Sequence, residues 1–250
     1  MAKARQRLRH LSKVVTVPLD VSRIGGATQR FAEIPENETF RVRDIFERDS
    51  YSIPYLEPGL STPVVVDIGA NVGLFALYFA IRYPGSSIHC FEPAPTSLTL
   101  LSHNVGDLTA VSVHPFALSD RGGEAVLHLH RANSGEHSLC RSGPAYRGTV
   151  RVPVRAAGPA LDTLRLASPI VLKIDTEGSE VPILKSLGSR LESFDFILVE
   201  YHSELDRRQI DTLLRQHVLF GGWAAWPGLG TLKYLHPKWM SRALRFHAAR

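Results

Sequence analysis

The chain has 250 residues, 44% hydrophobic and 21% charged, the balance of an average soluble domain, which excludes a disordered chain, a collagen or a disulfide scaffold. Its 29 Lys and Arg against 24 Asp and Glu give a formal net charge of +5, with surplus at the ends: Lys3, Arg5, Arg7, Arg9 and Lys13, then Lys238, Arg242, Arg245 and Arg250. No apolar run approaches the ~20 residues that span a bilayer, no signal-peptide pattern follows the basic start, and Cys90 and Cys140 have no metal spacing, so the chain reads as cytoplasmic.

Residues 1–62 are mixed in character. A Gly25-Gly26 turn precedes Thr39 to Tyr51, where interleaved Phe40, Val42, Ile45 and Phe46 predict a strand and a short helix. Val64-Val65-Val66 is a β-branched run of the kind buried on both faces of a sheet. A glycine turn from Asp67 to Gly73 leads into a helix over Leu74 to Arg82, closed by Pro84-Gly85. A strand over Ile88 to Phe91, a helix over Thr96 to Asn104 and a strand over Val111 to Phe116 follow. Ala125 to His130 and Thr149 to Val154 alternate apolar and polar, which predicts a paired antiparallel insert. A helix over Leu161 to Leu166, a buried strand over Ile170 to Ile174, a helix over Val181 to Leu187, a strand over Phe194 to Glu200 and a helix over Arg207 to His217 continue the alternation. Leu219 to Trp226 and Thr231 to Leu235 close the chain as an antiparallel pair. Strand–helix alternation means a parallel sheet with right-handed crossovers, here with an antiparallel edge.

The sharpest chemical signal is Val66-Asp67-Ile68-Gly69-Ala70-Asn71-Val72-Gly73 on a strand-to-helix turn, the place where such sheets hold nucleotides. Its spacing is Asp-x-Gly-x-x-x-Gly, not the Gly-x-Gly-x-x-Gly of dinucleotide sites. Pyrophosphate sits on a helix N-terminus, and an acid at the strand end repels it. The same acid suits an amine or a sulfonium, and S-adenosylmethionine carries both without a phosphate. Glu92 ends the next strand, where a carboxylate accepts hydrogen bonds from ribose hydroxyls. Asp175, Glu177 and Glu180 crowd the end of the fourth predicted strand. They suit a metal, substrate orientation or base work, although acids also gather at helix N-termini for the dipole alone. Asp175 is the hardest to explain that way. Glu200 and His202 lie two apart at the end of the fifth strand, and a neutral imidazole is a competent base near pH 7. The loop from Asn133 to Ser138 is turn-forming and a candidate to overhang the site. Trp223 and Trp226 read as core packing or a strand-pair ladder.

With these residues the sequence resembles the FkbM family of S-adenosylmethionine-dependent methyltransferases, from about Thr39 to Glu204. The resemblance rests on Val66 to Gly73, on Phe91-Glu92-Pro93, and on Ala117-Leu118-Ser119-Asp120-Arg121-Gly122-Gly123. Asn133-Ser134-Gly135 with Ser138-Leu139, the Leu172-Lys173-Ile174-Asp175 stretch running on to Glu177-Gly178 and Glu180, and Val199-Glu200 complete it. It implies a Rossmann-like, seven-stranded class I methyltransferase sheet, mostly parallel with an antiparallel C-terminal strand, plus the small antiparallel insert. Domain bounds of 39–236 follow, with 1–38 as an N-terminal extension and 237–250 as a basic tail. The resemblance implies that Asp67, Gly69, Ala70, Asn71 and Gly73 surround the methionine half of the cofactor, that Glu92 holds the ribose, and that Phe116 and Ala117 line the adenine.

The expected reaction is transfer of a methyl group to a hydroxyl of a small molecule, sugar or natural product. Asp175 is the first catalytic candidate, with Glu177, Glu200 and His202 behind it. A divalent metal on these acids is a secondary reading, and no metal ligand is assigned. The rivals are an RNA methyltransferase served by the basic ends, against which no Asn-Pro-Pro-aromatic motif is present, and an inactive cofactor-binding module. Nucleic acid is not the expected partner. Peripheral membrane contact by the ends stays open, and the sequence names neither the acceptor nor an oligomeric state.

Overall fold

The computed structural model describes residues 13–26, 29–58, 61–141 and 143–248. The basic residues Lys3 to Arg9 and Arg250 lie outside them. The strands are β1 (Val14–Leu19), β2 (Arg30–Pro35), β3 (Val64–Ile68), β4 (Ser87–Phe91), β5 (Val111–His114), β6 (Ala117–Ser119), β7 (Gly123–His130), β8 (Tyr146–Ala156), β9 (Ile170–Ile174), β10 (Phe196–Tyr201), β11 (Val218–Trp226) and β12 (Leu229–Leu235). The helices are α1 (Leu74–Arg82), α2 (Pro95–Asn104), α3 (Ala157–Asp162), α4 (Glu180–Leu187), α5 (Glu204–Leu213) and α6 (Met240–Ala248).

Seven strands form one sheet in the order β11-β12-β10-β9-β3-β4-β5. β3, β4, β5, β9 and β10 run parallel, and β12 runs against both of its neighbours. The expected antiparallel edge is corrected: the reversed strand lies inside the sheet, and β11 takes the edge. The insert is a separate three-stranded sheet, β6-β8-β7. Its β7–β8 pair is antiparallel as expected, but β6 joins β8 in parallel, so the insert is mixed. The strand predicted over Val111 to Phe116 therefore ends at His114, and the chain passes to the second sheet at Ala117.

The β-branched run of β3 is buried along its whole length because helices cover both faces of the sheet. Val65, Val171, Phe196 and Leu198 point to one face, packed on α1, α2 and the N-terminal segment. Val66, Ile68, Leu172, Ile174 and Val199 point to the other, under α3, α4 and α5. Phe75, Tyr78 and Phe79 of α1 and Tyr83 just past its end are all buried, each contributing on the order of 1.5–3 kcal/mol by leaving water.

Residues 13–56 depart most from expectation. β1 and β2 form an antiparallel hairpin, and Leu19, Ala32 and Ile34 join the core of the first face. The strand expected near Thr39 is absent. Phe40–Val42 is helical and continues as a wider coil over Arg43–Glu47, burying Val42, Ile45 and Phe46. Among the described residues no helix is long and apolar enough to cross a membrane, and both cysteines are free.

Candidate functional site

The carboxyl ends of β3, β4 and β9 open into a cleft. Gly69, Asn71, Phe91, Glu92, Ala117, Leu118, Asp175, Thr176 and Glu177 line it, and Arg41, Ser134, Gly135 and His137 close over it. The loop from Asn133 to Ser138 overhangs the cleft as its composition allowed.

The glycine turn is built by contact, not only by flexibility. Gly69 has φ +79, and a Cβ there would fall 1.8 Å from the Asp175 carbonyl oxygen. The two strand ends are stitched by Asp175 N–H donating to Ile68 O at 3.0 Å. Asn71, at φ 47, and Glu177, at φ 57, are non-glycine residues in the left-handed region, and both face the cleft. Such conformations cost on the order of 1 kcal/mol and persist where surroundings fix them. Asn71 N–H donates to Glu92 Oε2 at 2.8 Å, and its Oδ1 accepts from Ser134 Oγ at 2.9 Å.

Glu92 accepts a second backbone bond from Ala94 N–H at 2.8 Å. Burial nevertheless pushes its carboxyl up to about 7, against those two bonds.

Asp67 does not line the cleft. It is fully buried beneath the turn, 3.2 Å from Lys173 Nζ on the neighbouring strand. Neither carboxylate oxygen has a well-directed hydrogen bond. Burial raises the Asp67 carboxyl, and Lys173 opposes the rise. The acid expected to suit an amine or a sulfonium has its charge answered inside the protein by Lys173. Ala70 and Gly73 lie in the same turn, and Phe116 is buried beside the adjoining Ala117; none of the three lines the cleft.

Lys173 is the main residue the sequence reading passed over. Its ammonium donates to Gly69 O at 2.6 Å and lies 3.7 Å from Asp175 Oδ2. Burial alone would discharge it, but Asp67 and Asp175 keep it charged. The available signal was a lysine inside the apolar run Ile170 to Ile174, which demands buried partners. Arg41 and Glu38 were also missed. Glu38 is buried, accepts from Ser134 N–H at 2.6 Å and pairs with Arg41 at 3.5 Å. No motif marks them, because they come from a segment that joins the site only through tertiary packing.

The structure brings the four catalytic candidates together. Carboxylate oxygens of Asp175 and Glu200 and a ring nitrogen of His202 lie within 4.8 Å of one another, a spacing able to hold a cation. Asp175 and Glu177 line the cleft; Glu200 and His202 stand behind them. Burial, then the Asp175 charge, holds the Glu200 carboxyl well above its ordinary value. Asp175 stays below its own despite burial, chiefly through Lys173. Within the pair, protonation is therefore favoured on Glu200 over Asp175. His202 Nε2 is 3.2 Å from Glu177, and Nδ1 is 3.5 Å from Glu180. Burial opposes its charge, but the two glutamates raise it to about 11. His202 is an imidazolium at neutral pH, not the neutral base expected from the sequence.

Glu180 also accepts from the backbone N–H groups of Thr176 and Gly178. Ser138 Oγ donates to Glu177 O at 2.6 Å and ties the insert to the strand-end turn.

The family model for the methyltransferase FkbM domain matches residues 67–227, from the glycine turn to the last hairpin. The chain belongs to the FkbM methyltransferase family. Hexuronic acid methyltransferase AglP of Haloferax volcanii is 25% identical over 199 residues, 78% of this chain and 80% of that protein. 2-O-methyltransferase NoeI of Sinorhizobium fredii is 27% identical over 161 residues, 57% of this chain and 64% of that one. The crystal structure of methyltransferase FkbM from Methylobacillus flagellatus superposes with a TM-score of 0.50 at 16% identity, covering 81% of this chain and 56% of that chain, a likeness of fold. The mixed α/β, largely parallel sheet is thus that of a methyltransferase, and FkbM membership accounts for the order of its motifs.

Proposed function

We infer that this FkbM-family methyltransferase uses S-adenosylmethionine to methylate a hydroxyl on a sugar or another natural product. One observation carries it: Glu92 and Asp175 face the same cleft from the ends of β4 and β9, the strands on either side of β3, a ribose-type acceptor site and an ionised acid in one cleft. The hexuronic acid methyltransferase relative supports a sugar acceptor, and the 2-O-methyltransferase relative supports transfer to oxygen.

The cleft's chemistry suits this cofactor. It offers carboxylates and small or apolar walls rather than the Gly-x-Gly-x-x-Gly cradle of a pyrophosphate. Glu92 would hold the ribose hydroxyls, Phe91, Ala117 and Leu118 the adenine, and Gly69 and Asn71 the methionine half. Asp67, Ala70, Gly73 and Phe116 shape the turn and its floor. S-adenosylmethionine supplies an electrophilic methyl when bound, so the protein's task is alignment. Asp175 accepts a hydrogen bond from the acceptor hydroxyl and takes its proton as the oxygen gives up its lone pair. A hydrogen bond with Glu200 holds Asp175 in place, Lys173, His202 and Arg41 balance its charge, and Glu177 in turn holds His202. No step here requires a metal.

We place the methyltransferase domain at 39–236, with 1–38 as an N-terminal extension and 237–250 as a basic tail, and the protein in the cytoplasm.

Calorimetric titration with S-adenosylmethionine and with NAD is the test. Micromolar binding of the first alone, followed by methylation of hydroxylated acceptors, supports the reading. Binding of NAD alone, or of neither, refutes it.

A further inference from the structure

The hairpin β11–β12 carries an unexpected feature. Trp223 is 49% exposed and Trp226 63% exposed, so neither is core. Thr231 pairs with Glu200 on one side and with Trp223 on the other. Directly opposed residues share a face of the sheet. Glu200, Thr231 and Trp223 therefore form a row on one face, leading from the acid cluster to the sheet edge. Two strand spacings of ~4.8 Å put the Trp223 backbone roughly 10 Å from that of Glu200. The register breaks between Ala224 and Trp226, just before the turn. At the turn, a Cβ on Gly228 would lie 3.8 Å from Ser203 Cα, so the tip rests on the chain just past His202.

Two indole rings with much of their surface bare are thus held by the edge strand, Trp223 in the row that begins at Glu200 and Trp226 beside the turn that rests on Ser203. Large apolar surface left exposed beside a site marks a binding function. An indole presents an apolar face and one polar N–H. A sugar ring presents a patch of C–H groups and a rim of hydroxyls, which matches that surface and the polar row beside it.

We propose that Trp223 and Trp226 form a carbohydrate platform that holds the part of an oligosaccharide acceptor beyond the ring being methylated. This rests on the acceptor class inferred above. The platform selects extended glycans over single sugars, because only a second ring reaches it.

The test uses the full chain, labelled S-adenosylmethionine, and neutral-hexose and hexuronate tetrasaccharides with the matching monosaccharides. Trp223→Ala and Trp226→Ala should each raise KM for the tetrasaccharide about tenfold or more. They should leave KM for the monosaccharide, kcat and S-adenosylmethionine affinity unchanged, the last showing that the variants fold. Trp223→Phe should recover part of the loss. Unchanged KM for every sugar overturns the platform. So does an equal loss for tetrasaccharide and monosaccharide. β11 is also an open sheet edge; if the variants instead turn a dimer into a monomer in sedimentation with KM unchanged, the tryptophans are an interface between copies and the proposal falls. Methylation of hydroxyls but of no sugar overturns the platform alone, whereas failure to methylate any hydroxyl also removes the reading it rests on.

Discussion

Lys173 and Asp67 face each other from adjacent strands, 3.2 Å apart and both buried, and this pair anchors the turn on which the site depends. Lys173 also grips the Gly69 carbonyl and steadies Asp175, so one ammonium serves the turn and the acid cluster together.

Breaking that pair from one side should be costly, because it strands the other charge. Lys173→Met or Asp67→Asn alone should each lose about 3–5 kcal/mol of stability. The double variant should lose less than the sum. Urea unfolding of the four proteins measures the coupling; single losses below about 1 kcal/mol would show that the pair is not structural.

Gly69→Ala tests the closeness of the strand ends. The added Cβ meets the Asp175 carbonyl at 1.8 Å and the backbone is left-handed, so neither space nor conformation is available. A loss of several kcal/mol is expected, with S-adenosylmethionine binding abolished in calorimetry. A stable, binding-competent variant would contradict the packing described.

Asp175→Asn and Glu200→Gln separate alignment from binding. Both keep the shape of the cluster. The first should lower kcat by about 10²–10⁴-fold, the range for a proton-accepting group, with cofactor affinity within a few-fold of the original. Burial and the Asp175 charge favour protonation of Glu200, so its glutamine variant should keep far more activity. Equal losses would place the ionised acid on the wrong residue.

The contribution of Glu92 to stability should fall as pH rises across the weakly acidic range. Burial raises Glu92 from its ordinary 4.5 to about 7, so the fold favours its protonated form. That contribution is fully present below about pH 4.5 and is lost as pH rises through 7. At ~1.4 kcal/mol per unit, it amounts to at most about 3 kcal/mol. Measured against the parent in denaturant titrations, Glu92→Gln should remove this fall, so that its stability relative to the parent rises between pH 4.5 and 7. His202, raised from 6.5 to about 11, acts by the same sign in a higher window, so a His202→Gln variant should change the slope only above about pH 6.5.

The alternation of buried strands and helices from Val64 onward was legible because each strand is apolar on both faces and each helix has its stop signal. Helix α1 and strand β9 match their predicted bounds. The ends of β3, β4, β9 and β10 could be placed for the same reason, and the acids there converge. Three things were hidden. The hairpin β1–β2 has only Val14-Val15-Thr16-Val17 and scattered apolar residues to announce it. The parallel addition of β6 to the insert depends on a three-residue contact, which carries no period. Protonation depends on neighbours from distant segments: His202 is charged because Glu177 and Glu180 bracket it, and Asp67 is silent because Lys173 answers it.

The position of β12 bears on how the chain can be assembled. β11 precedes β12 in the sequence but pairs with nothing else in the sheet, while β12 must slide between β10 and β11. A nascent chain that has emerged only as far as Trp226 has five strands able to find their partners and a sixth with none. The sheet is completed by its last strand to be synthesised, and any truncation that removes Leu229 to Leu235 releases two strands, together with the tryptophans one of them carries.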